Sequence, residues 1–115
     1  MKFICYPKCT TCKKAQNWLD SKGADYTLRD IKTDKPSYEE LKEWYEKSGL
    51  SLKKFFNTSG MIYRSMNLKD KLDEMTDEEK LRLLAEDGML VKRPILLIED
   101  RVLLGFKESE WSEII

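Results

Sequence analysis

Cys9-Thr10-Thr11-Cys12 is the stretch of this 115-residue sequence with the clearest chemistry. A C-x-x-C sets two sulfurs about one helical turn apart, which suits a pair in which one thiol attacks and the other resolves. An apolar run ends at Tyr6-Pro7 and Lys13-Lys14-Ala15 follow, so the motif falls between a strand and the opening of a helix. Unpaired backbone N–H groups and the positive dipole end of a helix stabilise an anion, and a thiolate is an anion. Cys9 is expected at that end, flanked by Lys8, with its thiol made more acidic and its sulfur partly exposed. Cys12 is in line with Ala15 and Leu19, the helix face that packs inward.

Other readings of the cysteines carry less. Cys9 and Cys12 could be plain structural thiols, and Cys5 suits a small core position at a strand end. Cys5, Cys9 and Cys12 together spell C-x3-C-x2-C, the spacing of radical-SAM iron–sulfur sites, but such enzymes need barrels of about 200 residues or more. Zinc would lack its usual fourth ligand. No metal and no resident cofactor are expected. The sequence contains no His, which removes the commonest general base and the commonest metal ligand together.

The elements that must position the pair follow from the rest of the chain. Lys2 to Tyr6 is a short apolar strand that Pro7 breaks. The helix from about Thr10 to Lys22 should bury Cys12, Ala15, Trp18 and Leu19, with Gly23 where a terminating glycine belongs. Asp25 to Ile31 alternates like a second strand, closing a right-handed βαβ unit. After the polar connection Lys32 to Pro36, Ser37 and Glu40 form a capping box for a helix carrying Tyr38, Leu41, Trp44 and Tyr45 as far as Ser48-Gly49. Ser51 to Phe56 is a short helical turn, and Asn57-Thr58-Ser59-Gly60 is a loop by composition. Tyr63 to Met75 is helical but irregular, its charges Lys69, Asp70, Lys71 and Glu74 forming a solvated face. A second capping box, Thr76 to Glu79, starts a helix through Leu81, Leu84 and Ala85 that stops at Asp87-Gly88. Ile95-Leu96-Leu97-Ile98 is an unbroken apolar run that suits a central strand with both faces covered. Glu99-Asp100 turns it into an antiparallel partner, Arg101 to Gly105, and Lys107 to Ile115 is read as a terminal helix packing Trp111, Ile114 and Ile115.

This pattern gives one domain over residues 1–115, of α/β class, with a helical insertion at about 34–90. Lys+Arg and Asp+Glu both number 21. That balance argues against direct nucleic-acid binding, which normally shows a basic excess. The charged content of 37% describes a well-solvated surface. No apolar run approaches a membrane span, and no signal-peptide region opens the sequence. An odd number of cysteines without an export signal points to a reducing, cytoplasmic setting, and a monomer is expected.

The order βαβ, helices, ββα, with C-x-x-C at the first helix and a proline opening the third strand, resembles the thioredoxin fold, here a mixed four-stranded sheet with flanking helices. Tyr6-Pro7-Lys8-Cys9-Thr10-Thr11-Cys12-Lys13-Lys14-Ala15, the inserted helices and Lys92-Arg93-Pro94-Ile95 resemble the arsenate reductase (ArsC)/Spx family across essentially the whole chain. Within it, the segment Phe55 to Gly60 (Phe-Phe-Asn-Thr-Ser-Gly) is similar to a small branch of ArsC-family proteins. The resemblance implies that Cys9 is the catalytic cysteine, that Arg93 is the arginine beside it, and that Pro94 is a cis-proline facing the site. Lys8, Thr10 and Thr11 would complete the active-site loop. A guanidinium near Cys9 would favour the thiolate and could hold an oxyanion.

The departures narrow the activity. Arsenate-reducing members place three arginines around the cysteine. Two of those positions correspond here to Asn57 and to Gly105 or Phe106, and Arg64 sits in a different register. Cys12 matches the second cysteine of Spx and fits internal resolution. Two functions follow as expectations. One is a thiol-based, arsenate reductase-like oxidoreductase in which Cys9 attacks a disulfide or an oxyanion such as arsenate, Cys12 resolves, and thioredoxin or glutathione restores the dithiol. The other is an Spx-like redox sensor that binds the RNA polymerase alpha subunit, with the Cys9–Cys12 disulfide as its switch.

Overall fold

Alternation along β1 (Lys2–Cys5) decides how the two faces of the sheet are filled. The computed structural model describes all residues from Met1 to Ile115. Successive strand side chains point to opposite faces, so Phe3 and Cys5 go one way and Ile4 the other. β3 (Ile95–Ile98) and β4 (Arg101–Leu104) repeat the division, with Leu96 and Leu103 on the side of Phe3 and with Ile95 and Val102 on the side of Ile4. Both faces of β3 are thus covered at its first half, while Leu97 and Ile98 are half-buried.

The sheet has four strands in the order β2-β1-β3-β4, with β2 (Thr27–Asp30) parallel to β1 and both other pairings antiparallel. This is the mixed sheet expected of a thioredoxin-like fold. The face carrying Phe3 is covered by α1 (Thr10–Ser21) through Cys12, Ala15 and Leu19, and by Trp111. Trp18 is only half-buried, because it lies at the rim, 5.9 Å from the Phe106 ring and 6.1 Å from that of Trp111. α1 ends as its sequence dictates. Gly23 takes a φ of +66°, its N–H donates to the Asp20 carbonyl, and Ala24 N–H donates to Leu19 O at 3.1 Å.

The opposite face is covered by the residues between β2 and β3. They form α2 (Tyr38–Ser48), a 3₁₀ turn (Leu52–Phe55), α3 (Met61–Ser65), α4 (Leu68–Lys71) running into a second 3₁₀ turn (Leu72–Glu74), α5 (Asp77–Glu86) and a third (Gly88–Leu90). Both capping boxes are made in both directions, Ser37 with Glu40 and Thr76 with Glu79. The irregularity expected between Tyr63 and Met75 is a break at Asn67, whose left-handed φ of 53° separates α3 from α4. The end of this helical block is pinned to its middle. Phe56 bridges Val91, Asn57 N–H donates to Leu90 O, and Lys92 N–H donates to Phe55 O, both at 2.7 Å. Gly88 makes the close approach possible, since a Cβ there would stand 1.9 Å from the Ile31 carbonyl oxygen.

Two elements are shorter than their sequence patterns suggest. β2 begins at Thr27 instead of Asp25, and Leu28 is 49% exposed because an edge strand has only one neighbour to shelter it. α6 is a single turn, Glu108–Trp111, followed by turns up to Ile114. Trp111 alone is fully buried there, Ile114 is half-buried and Ile115 is exposed. One anchoring indole is enough to dock so short a segment, so no second helical turn is needed to cover the sheet.

Candidate active site

The connection between β1 and α1 is a tight turn that presents Cys9 at the start of the helix. Cys9 N–H donates to Tyr6 O at 2.9 Å, and Cys9 O accepts from Lys13 N–H at 3.0 Å, so the residue is the N-cap of α1 with extended φ and ψ. Its side chain caps no backbone N–H and is half-buried, on the wall of an open cavity of about 670 Å³. Cys12, in the first turn of α1, is 1% exposed. Its sulfur accepts the Tyr6 N–H at 3.3 Å. The two sulfurs therefore differ in access: one faces the cavity and the other is sealed behind it.

The Cys12 thiol is pushed well above its ordinary pKa, first by its hydrogen bond to the Cys5 sulfur and then by burial. The same hydrogen bond holds Cys5 below its ordinary value, against the effect of burial. A thiol buried and raised as Cys12 is does not readily open a reaction with an outside partner.

The pinning of the helical block carries Arg93 to the same cavity. Its Nη1 donates to Met89 O at 3.3 Å, and its guanidinium carbon lies 5.3 Å from the centre of the Tyr6 ring. Arg93 Nε is buried without a partner. The peptide bond between Arg93 and Pro94 is cis, and Pro94 O accepts the Gly105 N–H at 2.8 Å, which brings the end of β4 against this loop. Gly105 has a φ of +71°, a region that a bulkier residue enters only with strain.

Of the residues singled out from the sequence, Cys9, Thr11, Asn57, Arg93, Gly105 and Phe106 all line the cavity. Cys12 and Pro94 are buried beneath it, while Lys8 and Thr10 are exposed and do not line it. Asn57 and Ser59 do more than turn the chain, since both stand on the cavity wall. Two lysines that the motif reading passed over, Lys92 and Lys107, join Arg93 there, and no Asp or Glu does. Their signal was available only as proximity to Arg93 and Gly105, because lysines on a highly charged chain do not stand out. The remaining wall is apolar, from Met61, Ile62, Met89, Leu104 and Phe106. Tyr6 as a ring under the guanidinium and Cys5 as a partner of Cys12 were also unmarked by spacing.

The family model described as ArsC family matches residues 5–114. YusI of Bacillus subtilis (strain 168) is 54% identical over 113 residues, covering 98% of this chain and 96% of that protein. The global transcriptional regulator Spx of Enterococcus faecalis is 31% identical over 104 residues, covering 90% of this chain and 77% of the regulator. Among solved structures, an ArsC family related protein from Bacteroides fragilis superposes with a TM-score of 0.96 at 50% identity, covering 99% of this chain and 96% of that one. A structure described as a possible arsenate reductase from Streptococcus mutans UA159 gives 0.88 at 45% identity, covering 96% of each chain.

Proposed function

The chain belongs to the ArsC family, and from that premise we propose that it is a thiol–disulfide oxidoreductase with Cys9 as nucleophile and Cys12 as resolving thiol. The observation that carries this reading is the contrast in access between the two sulfurs, Cys9 on an open cavity at a helix N-terminus and Cys12 1% exposed behind it. Cys9 thiolate attacks a disulfide substrate, one substrate thiol departs, and a mixed disulfide remains on Cys9. Cys12 then gives up its proton and attacks the Cys9 sulfur, which releases the second thiol and leaves an internal disulfide. Thioredoxin or glutathione returns the pair to the dithiol by the same exchange in reverse.

The wall chemistry favours this over arsenate reduction. Arg93 is the single guanidinium on the cavity, and by the family resemblance Asn57 and either Gly105 or Phe106 correspond to positions where the arsenate-reducing members place arginines. Lys92 and Lys107 supply charge but not the paired, planar donors that hold an oxyanion. Three cations without a carboxylate, mixed with apolar side chains, suit a disulfide on an anionic organic carrier such as oxidised glutathione. Steady-state assays with small disulfides and with arsenate, using thioredoxin or glutathione as reductant, test the reading. Disulfide turnover that is lost in Cys9→Ser is expected, and turnover of arsenate alone would overturn it.

A regulatory reading is favoured by one finding, the 31% identity to Spx. In that reading the Cys9–Cys12 disulfide is a switch, and the fold docks on the RNA polymerase alpha subunit. Retention of that subunit in one redox state and not the other would support it, and retention in neither would end it.

A further inference from the structure

The exchange cycle leaves Cys5 unused, yet Cys5 is no isolated core thiol. It ends β1 with 2% exposure, buried in the same cluster as Cys12. The Tyr6 N–H fixes the Cys12 sulfur against the backbone that directly follows Cys5. Cys9 packs against the same cluster from the cavity side. The three sulfurs therefore run from the cavity into the core in the order Cys9, Cys12, Cys5, with Cys12 in the middle. Exchange at a disulfide requires the incoming sulfur to reach the sulfur that is attacked, and Cys5 is the neighbour already against Cys12.

We infer that Cys5 is a third redox-active thiol, which takes over the disulfide from the Cys9–Cys12 pair and returns Cys9 to the thiolate. The inference rests on the reading that Cys9 and Cys12 cycle. In the step, the Cys5 sulfur attacks Cys12 Sγ, a Cys5–Cys12 bond forms and the Cys9–Cys12 bond breaks. Cys9 leaves with the electron pair, and the proton given up by Cys5 is available to it. No electron enters or leaves; the two-electron oxidation was supplied earlier by the disulfide substrate. The product holds its oxidising equivalent in a buried bond while Cys9 faces the cavity again. An outside thiol then has no direct access to that bond, and reduction passes back through Cys9.

The chain itself provides the assay, because trypsin separates Phe3–Lys8, which carries Cys5, from Cys9–Lys13, which carries both other cysteines. The full-length protein is oxidised with oxidised glutathione, its free thiols are blocked with N-ethylmaleimide, and it is digested without reduction for mass spectrometry. The expected result is Phe3–Lys8 joined to Cys9–Lys13 through Cys12, with the maleimide on Cys9. A loop confined to Cys9–Lys13 with the maleimide on Cys5 would overturn the relay and leave the oxidoreductase reading standing. A Cys5–Cys9 link would also overturn it. No disulfide among the three would overturn both. In Cys5→Ala the Cys9–Cys12 loop is expected to accumulate and most maleimide labelling of Cys9 after oxidation to disappear; unchanged labelling would count against the relay.

Discussion

Replacing Glu40 by Gln separates one charge from the packing around it. Glu40 receives two hydrogen bonds from Arg29, at 2.7 and 3.0 Å, and so ties the edge strand β2 to α2. Through its side-chain bond to the Ser37 N–H it also closes the first capping box. Gln can keep the Oε1 contacts with Ser37 N–H and Arg29 Nη2, but its amide nitrogen cannot accept from Arg29 Nη1, so the substitution removes the charge and one hydrogen bond. The Arg29 guanidinium, first by hydrogen bonding, holds the Glu40 carboxyl down from 4.5 to about 2. A difference of about 2.5 pKa units corresponds to a ceiling of roughly 3.4 kcal/mol. The Glu40 side chain is 38% exposed, so solvent screening reduces the expected contribution to about 1 kcal/mol. Because folding depresses this pKa, the stabilisation is complete above the unfolded value and fades as pH falls towards the folded one. Urea unfolding of the parent and Glu40→Gln at neutral pH should differ by about 1 kcal/mol, near 4 °C in Tm for a chain of this size. By about pH 3 the difference should fall to less than half. Equal stability at neutral pH, or a gap that stays constant on acidification, would refute the argument that the charge pair is responsible.

Other positions yield equally direct outcomes. Gly88→Ala places a Cβ 1.9 Å from the Ile31 carbonyl oxygen, a backbone atom that cannot rotate away. It should cost about 3 kcal/mol by urea unfolding. Trp111→Ala empties the site under α1, where the ring meets Phe3, Trp18 and Phe106, and calorimetry should register about 3–5 kcal/mol. Arg93→Ala removes the guanidinium from the cavity, and disulfide turnover should fall about tenfold, or ~1.4 kcal/mol of transition-state stabilisation. Arg93→Lys should recover only part of that rate, since an ammonium keeps the charge but not the planar face that lies on Tyr6.

Residue patterns exposed the frame of this protein well where local chemistry decides the outcome. The two capping boxes, the glycine that ends α1 and the turn at Glu99-Asp100 are settled by a few neighbouring side chains, and all are present. Patterns misled where long-range packing decides. Leu28 alternates as a buried strand residue would, but β2 lies at the sheet edge. Lys107 to Ile115 has helical spacing, but one turn suffices once Trp111 has docked. The cavity was legible through Cys9 and through the resemblance that marked Arg93. Its lysines, the Tyr6 ring and the contact of Cys5 with Cys12 depend on chain segments that meet only in three dimensions. Cys5 and Cys12 both read as buried from their spacing, and spacing cannot tell that two buried thiols touch.

The measurement closest to the central claim is mass analysis of the Cys12→Ser variant after exposure to oxidised glutathione. With the resolving thiol gone, one glutathione is expected per chain, linked to Cys9, while the parent protein ends free of glutathione with an internal disulfide. A parent protein that retains the mixed disulfide to the same extent, or a Cys12→Ser variant that acquires none, would contradict it.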